Sequence, residues 1–193
     1  MIRTLVVTAA LALSVSLSTT ALAQDYKVAV ANLIDTEIRD WAQSDEVIDA
    51  IKSQNKISAT LSQADIDRQD KQWRDEVKGG DRTMINAVLT NDLSNYLQGV
   101  KTSSHGKYTE IFVMDMKGLN VGQSDATSDY WQGDEDKWQL TYGVGPKGVL
   151  IKDVDFDEST QTYQSQVSVA IVDPQSGKAI GAVTVGVNVE MLE

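Results

Sequence analysis

The sequence predicts an α+β fold in which a long N-terminal helix packs on a five- to six-stranded antiparallel sheet. Three observations predict it. Before about residue 105 apolar side chains recur at helical spacing, and after it they alternate or run together between turn signals. The strand-like segments are joined by short connectors rich in Asp, Ser and Gly, which suit antiparallel neighbours rather than crossovers. A chain of 193 residues can also bury roughly 70% of the surface its unfolded form exposes, enough for one ordinary core without metal or disulfide staples.

The elements follow in order. Arg3, the apolar stretch Leu5 to Leu17 and Ala21-Leu22-Ala23 read as a signal peptide over residues 1–23 with cleavage after Ala23. The apolar stretch is shorter than the roughly 20 residues of a spanning helix, so residues 24–193 are expected to be one exported, periplasmic domain without membrane insertion. Val30, Leu33, Ile34, Ile38 and Trp41 form one stripe on a helix from about Asp25 to Gln43. Ser44, followed by Asp45 and Glu46, reads as the N-cap of a shorter helix carrying Val47, Ile48 and Ile51. Ser62 and Asp65 resemble a capping box for a helix presenting Ile66, Trp73 and Val77 and ending at Gly79-Gly80. Asp81 is expected to cap a last helix, with Ile85, Val88, Leu89, Leu93, Tyr96 and Leu97 on its period, up to Gly99.

Strands follow. Ile111 to Met114 and Leu119 to Gly122, joined through Lys117-Gly118, read as a hairpin. Asp125 to Gly148 has no clean period and reads as loops and short helices. Gly148 to Phe156, Thr162 to Val172 and Ala179 to Val189 read as three strands of a meander, turning at Asp157 to Thr160 and Asp173 to Gly177. In the last, Val183, Val185, Val187 and Val189 share one face and Thr184, Gly186 and Asn188 the other; before it, Gln166, Ser168 and Ala170 oppose Val167, Val169 and Ile171. One face suits the long helix, and the other is small and polar, as a pocket for a polar ligand requires.

Composition excludes several functions. The 28 Asp and Glu against 17 Lys and Arg give a formal net charge of −11, which opposes nucleic acid and anionic lipid. Without Cys there is no thiolate nucleophile, iron–sulfur cluster or Cys-based zinc site, and the single His105 removes a multi-histidine centre. His105 lies in a polar loop with no marked carboxylate or nucleophile, and no Gly-x-Ser-x-Gly, P-loop or dinucleotide motif is present. No catalytic residue, metal site or cofactor is expected, and the chain is read as a non-enzyme. Asp153, Asp155 and Asp157 begin like a calcium loop, but Glu158 stands where Gly is needed and Gln164 where Glu is needed, so they read as an exposed hairpin end.

Ile111-Phe112-Val113-Met114-Asp115-Met116-Lys117-Gly118, the stretch from Ser124 through Asp129-Tyr130-Trp131 to Trp138, and Asp173 through Gly177-Lys178-Ala179-Ile180-Gly181 give the chain its likeness to a family. With the long helix before them, they resemble the extracytoplasmic Cache (PDC, PAS-like) sensor domains of bacterial receptors. The resemblance implies that the first stretch opens the sheet, the second lies near a ligand pocket and the third is the final hairpin. It implies a function too: capture of an amino acid, amine, carboxylate or similar small molecule. Members that bind amino acids through an Arg followed by Trp-Tyr have no counterpart here, because no arginine occurs between Tyr108 and Glu193. Receptor Cache domains are usually followed by a transmembrane helix and a signalling module, whereas this sequence ends at Glu193. A separate membrane-bound histidine kinase, cyclase or chemoreceptor is therefore expected to read the bound form.

Tyr130, Trp131, Trp138 and Tyr142 share one segment with Asp125, Asp129, Asp134, Glu135 and Asp136. Aromatic faces beside carboxylates hold cations, so an amine- or amino-acid-like ligand is expected; alternatively the aromatics plug the sheet and the acids are solvated. Lys137 could receive a ligand carboxylate or form a surface salt bridge. The expected ligand-binding residues are Tyr130, Trp131, Asp134, Trp138, Tyr142, Ser168 and Asn188. The competing reading is a ligand-free interaction subunit that docks on a sensor kinase or chemoreceptor. The Val30 to Trp41 stripe serves the core, and where the helix overhangs the sheet it would also serve a homodimer.

Overall fold

The computed structural model describes residues 26–158 and 161–192. The leader over residues 1–23, its cleavage after Ala23 and the first residue of the long helix lie outside them. Helix α1 covers residues 26–42 and contains a π-helical turn at Ile34–Ile38. Its stripe is as expected: Val30, Leu33, Ile34 and Ile38 are buried and Trp41 is partly buried. Each fully buried aliphatic side chain contributes about 1.5–3 kcal/mol. Helix α2 (Asp45–Ser58) follows, with Ser44 extended at the N-cap position but making no side-chain cap hydrogen bond, and Val47, Ile48 and Ile51 buried.

Helix α3 (Gln63–Val77) opens on the reciprocal Ser62–Asp65 capping box. Ile66 and Trp73 are buried, whereas Val77, expected on the same face, is exposed. The expected final helix is two helices, α4 (Thr83–Leu89) and α5 (Asp92–Ser103). Asn91 breaks it: its side-chain oxygen accepts from Ser94 N at 2.8 Å and its amide donates to the Val121 carbonyl at 2.8 Å, offering the backbone a cap in place of continued helix. Arg82, not Asp81, holds the N-cap position of α4, and the Glu76 carboxylate accepts from Met84 N and Ile85 N. Burial pushes the Glu76 pKa up, but the hydrogen bonds from Ile85, Gln72 and Met84 outweigh it and hold it below the usual value. Gly99 does not end α5, which runs on to Ser103.

The sheet contains β1 (Tyr108–Met114), β2 (Asn120–Gln123), β3 (Val149–Ile151), β4 (Asp155–Asp157), β5 (Thr162–Val172) and β6 (Ala179–Asn188), with a short helix α6 (Asp136–Gln139) in the irregular segment. The order is β2-β1-β6-β5-β3, and β4 also pairs with β5. Every pairing is antiparallel. The strand expected from Gly148 to Phe156 is thus interrupted at Lys152–Val154. Asp115 builds the β1–β2 turn: its carboxylate accepts from Lys117 N at 2.7 Å and Leu119 N at 3.0 Å. Gly118 has φ +82°, and a Cβ there would collide with the Gly133 backbone, so the turn and the segment above it require glycine.

One sheet face, with Ile111, Val113, Val167, Val169, Ile171, Val183, Val185 and Val187, packs against α1, α2 and α5 as the main core. A second core joins Ile66 and Trp73 of α3, Ile85 of α4, Leu119 and Tyr130. Phe112, Met114 and Ala182 on the other sheet face pack with Trp138 and Tyr142. None of the described helices is long and apolar enough to cross a membrane.

Candidate ligand-binding face

Strand register sets the second face in rows. Met114, Ala182 and Ala170 form one row; Phe112, Thr184 and Ser168 the next; Glu110, Gly186 and Gln166 a third; Asn188 pairs with Gln164 beyond them. A register shift between Tyr108 and Glu110 is a bulge, which re-aims side chains next to it. Thr109 and Glu110 consequently both approach Gly186, where an added Cβ would collide with the Thr109 hydroxyl, the Gln164 side-chain oxygen and the Glu110 stem.

The segment 125–148 covers the first two rows. Trp138 donates from Nε1 to the Asp115 carbonyl at 3.0 Å, and its ring lies 5.0 Å from that of Tyr142. Lys137, 9% exposed, donates to Gln132 Oε1 at 3.0 Å, pairs with Glu135 at 2.9 Å and stands 5.3 Å from the Phe112 ring centroid. The expected surface salt bridge is thus formed in a largely buried setting.

The third row is polar. Glu110, partly buried, accepts from Gln166 Nε2 at 2.9 Å. Burial pushes its pKa above the ordinary value and the charges of Asp157 and Asp125 add to the rise, while the Gln166 hydrogen bond and Lys137 oppose it. Beside it opens a cleft of about 550 Å³ lined by Lys152 to Asp157 with Gln164 and Gln166. Asp153, Asp155 and Asp157 give this wall its charge. Asp153 is paired with Lys27 at 2.8 Å and Asp157 accepts from Gln164 Nε2 at 2.5 Å. Among the described residues no cluster of acids or histidines is arranged to hold a metal ion.

The structure brings Trp138, Tyr142 and Ser168 to this face, with the Ser168 and Thr184 hydroxyls 2.9 Å apart. It disperses the others. Tyr130 lies in the second core, stacked on Trp73 with ring centroids 5.5 Å apart. Trp131 bridges to Leu119 and donates to the Lys117 carbonyl at 2.8 Å, fixing the cover to the β1–β2 turn. Asp134 is exposed. Asn188 ends β6 and accepts from Glu190 N. Glu110 and Gln164 are additions that sequence reading passed over. The alternation Glu110, Phe112, Met114 carries the signal for Glu110, which lies one residue before the expected strand start at Ile111.

A bulged antiparallel sheet with helices on one face and a loop-rich cover on the other is the α+β arrangement that the sequence predicts. No protein-family model matches the chain, and no curated protein matches it. Among solved structures it is similar to the sensor domain of the Vibrio cholerae histidine kinase DctB, at 11% identity over 88% of this chain and 54% of that one, with a TM-score of 0.48. The sensory domain of the Campylobacter jejuni chemoreceptor Tlp3 with isoleucine bound is 16% identical over 91% of this chain and 64% of that one, with a TM-score of 0.38. The Escherichia coli DcuS sensor domain is 14% identical over 89% of this chain and 91% of that one, with a TM-score of 0.42. The chain thus spans about half to two thirds of the first two and most of the third.

Proposed function

We propose that the protein is a periplasmic sensor domain that captures a small polar ligand bearing a protonated amine, an amine or amino acid, and presents it to a membrane-bound histidine kinase, cyclase or chemoreceptor. The observation that carries this reading is Glu110: a partly buried carboxylate whose hydrogen-bond partner is the neutral Gln166 amide, beside a cleft walled by Asp153, Asp155 and Asp157. A carboxylate removed from water is stabilised by a cation brought to it, and a ligand ammonium supplies one. In this reading Ser168 stands in the row next to Glu110, Trp138 and Tyr142 form the cover over the neighbouring rows, Tyr130 and Trp131 hold that cover in place, Asp134 adds outer negative charge and Asn188 bounds the polar row.

A thermal-shift screen of amines, amino acids and dicarboxylates tests it. A ligand at 100 times its Kd adds about 2.7 kcal/mol. Amines or amino acids should raise the Tm, dicarboxylates should not, and Glu110→Gln should abolish the rise. Failure of every amine and amino acid with the wild type, or a shift that survives in both Glu110→Gln and Trp138→Ala, overturns the reading. The packing of Phe112, Met114 and Ala182 under Trp138 and Tyr142 favours the second reading, a ligand-free docking subunit, should the screen fail.

A further inference from the structure

Strand β3 ends the strand order and has a paired neighbour on one side only, β5. The ladder decides which of its backbone groups face outward. Ala170 N donates to the Gly148 carbonyl at 3.0 Å and Lys152 N to the Gln166 carbonyl at 2.9 Å, so Leu150, midway between them and opposite Ser168, belongs to the same hydrogen-bonded series. The N–H and C=O of Val149 and Ile151 therefore point away from the sheet. Among the described residues no partner reaches them, and Val149 is 39% exposed.

An open edge is a template for another strand, and folds commonly guard it with proline or with lysine, whose charge repels a second lysine. Pro146 and Lys147 precede β3 in this way. The guard is incomplete, because Lys147-Gly148-Val149-Leu150-Ile151-Lys152-Asp153 is its own antiparallel complement. Turned about a two-fold axis through Leu150, Val149 meets Ile151 of a second copy so that their outward N–H and C=O groups pair, Leu150 meets Leu150, and Lys147 falls opposite Asp153. Lys147 is exposed and has no ion pair among the described residues. The Asp153 side chain is 87% exposed, and its contacts with Lys27 and Tyr26 are both made by Oδ1, which leaves Oδ2 for a second cation.

We infer that β3 is a self-association edge: two copies of the chain pair antiparallel through Val149–Ile151, with Lys147 of each against Asp153 of the other. The inference does not rest on the amine reading of Glu110, nor on the α1 stripe, whose Val30, Leu33, Ile34 and Ile38 are buried in the chain's own core. A strand of 3 residues buries far less than the roughly 1,200 Å² at which stable interfaces begin, so the dimer is weak and forms with rising concentration. Sedimentation equilibrium of the protein up to about 1 mM measures it. The wild type should dimerise. Lys147→Asp and Asp153→Lys each set like charges opposite one another in both halves of the two-fold and should each weaken the dimer about tenfold. An equimolar mixture of the two should regain it, because each variant then meets the opposite charge at both positions. Val149→Pro removes an outward N–H and no ladder bond, so it should abolish dimerisation with an unchanged far-ultraviolet spectrum; should it unfold, the charge variants and their mixture still decide. A wild type that stays monomeric, a dimer that neither charge variant weakens, or a mixture no tighter than its components overturns the inference. A monomer that instead takes up an unrelated extended peptide, and loses it in Val149→Pro, overturns it in favour of strand addition by a different partner.

Discussion

Glu110 meets Gln166 rather than a cation at hydrogen-bond distance, and burial raises its pKa from the ordinary 4.5. Ionisation is then harder in the folded chain than in the unfolded one, so the charged group subtracts stability at neutral pH. That loss fades as pH falls through the folded value and is gone below the unfolded one. Glu110→Gln should therefore raise the Tm at pH 7, and its advantage over the wild type should shrink on acidification in parallel thermal melts; a constant difference from pH 7 to pH 4.5 would sink the assignment. Asp65 behaves oppositely. The Ser62 hydroxyl and Arg68 hold it down at about 2, so its contribution is present above the unfolded value of 3.8 and lost as pH falls toward 2. The identities of these groups were plain in the sequence, and Ser62–Asp65 was recognisable because a capping box is local. Glu110 was not, because its environment comes from Gln166, Asp157 and Lys137, which reach it through strand pairing and the cover.

At the scale of elements, apolar periodicity located α1, α2, α3 and the long strands because each presents a regular stripe or alternation to a core. It ran through Asn91 without a break, since Val88, Leu89, Leu93 and Leu97 keep the period across it; the turn is decided by the Asn91 contact to Val121 on β2. Gly99 misled in the other direction, reading as a stop while α5 continues past it. With a helical backbone and free space at its Cβ, Gly99→Ala should stabilise the fold by about 1 kcal/mol in urea unfolding. A destabilised Gly99→Ala would show that this helical position needs glycine. The interruption of the third strand at Lys152–Val154 is also accompanied by a side-chain contact. The Lys152 carbonyl is taken by the Ser165 hydroxyl at 2.6 Å, and the segment that leaves the ladder forms a wall of the acidic cleft.

Across the whole molecule, α3 fastens the cover to the sheet. Trp73 donates from Nε1 to the Thr127 carbonyl at 2.8 Å and stacks on Tyr130, while the Asp70 carboxylate accepts from Tyr130 N at 2.9 Å and Trp131 N at 3.1 Å and pairs with Arg74 at 2.7 Å. Trp73→Ala should cost about 3–5 kcal/mol by cavity formation, and Trp73→Phe less, chiefly about 1 kcal/mol for the lost hydrogen bond. Chemical denaturation measures both. If the cover positions Trp138 and Tyr142 for a ligand, Trp73→Phe should also weaken any amine-induced thermal shift without abolishing it. The aromatic-rich segment was visible in the sequence as a unit, but which rings face the sheet and which face α3 was not.

The sequence by itself determined that helices precede strands, the greasy face of the sheet and the acidic, cysteine-free chemistry of the chain, because periodicity and composition act through near neighbours; that the other face is apolar in its first rows, under Trp138 and Tyr142, it did not show. Only the tertiary structure decided that Tyr130 and Trp131 serve the second core and the β1–β2 turn while Trp138 and Tyr142 cover the sheet, and that Glu110 is hydrogen-bonded to Gln166, a residue lining the acidic cleft. Those outcomes depend on register and on contacts between residues far apart in the chain. A one-residue bulge at Thr109 is enough to change which side chains share a face, and no local pattern encodes the partner strand against which that bulge is made.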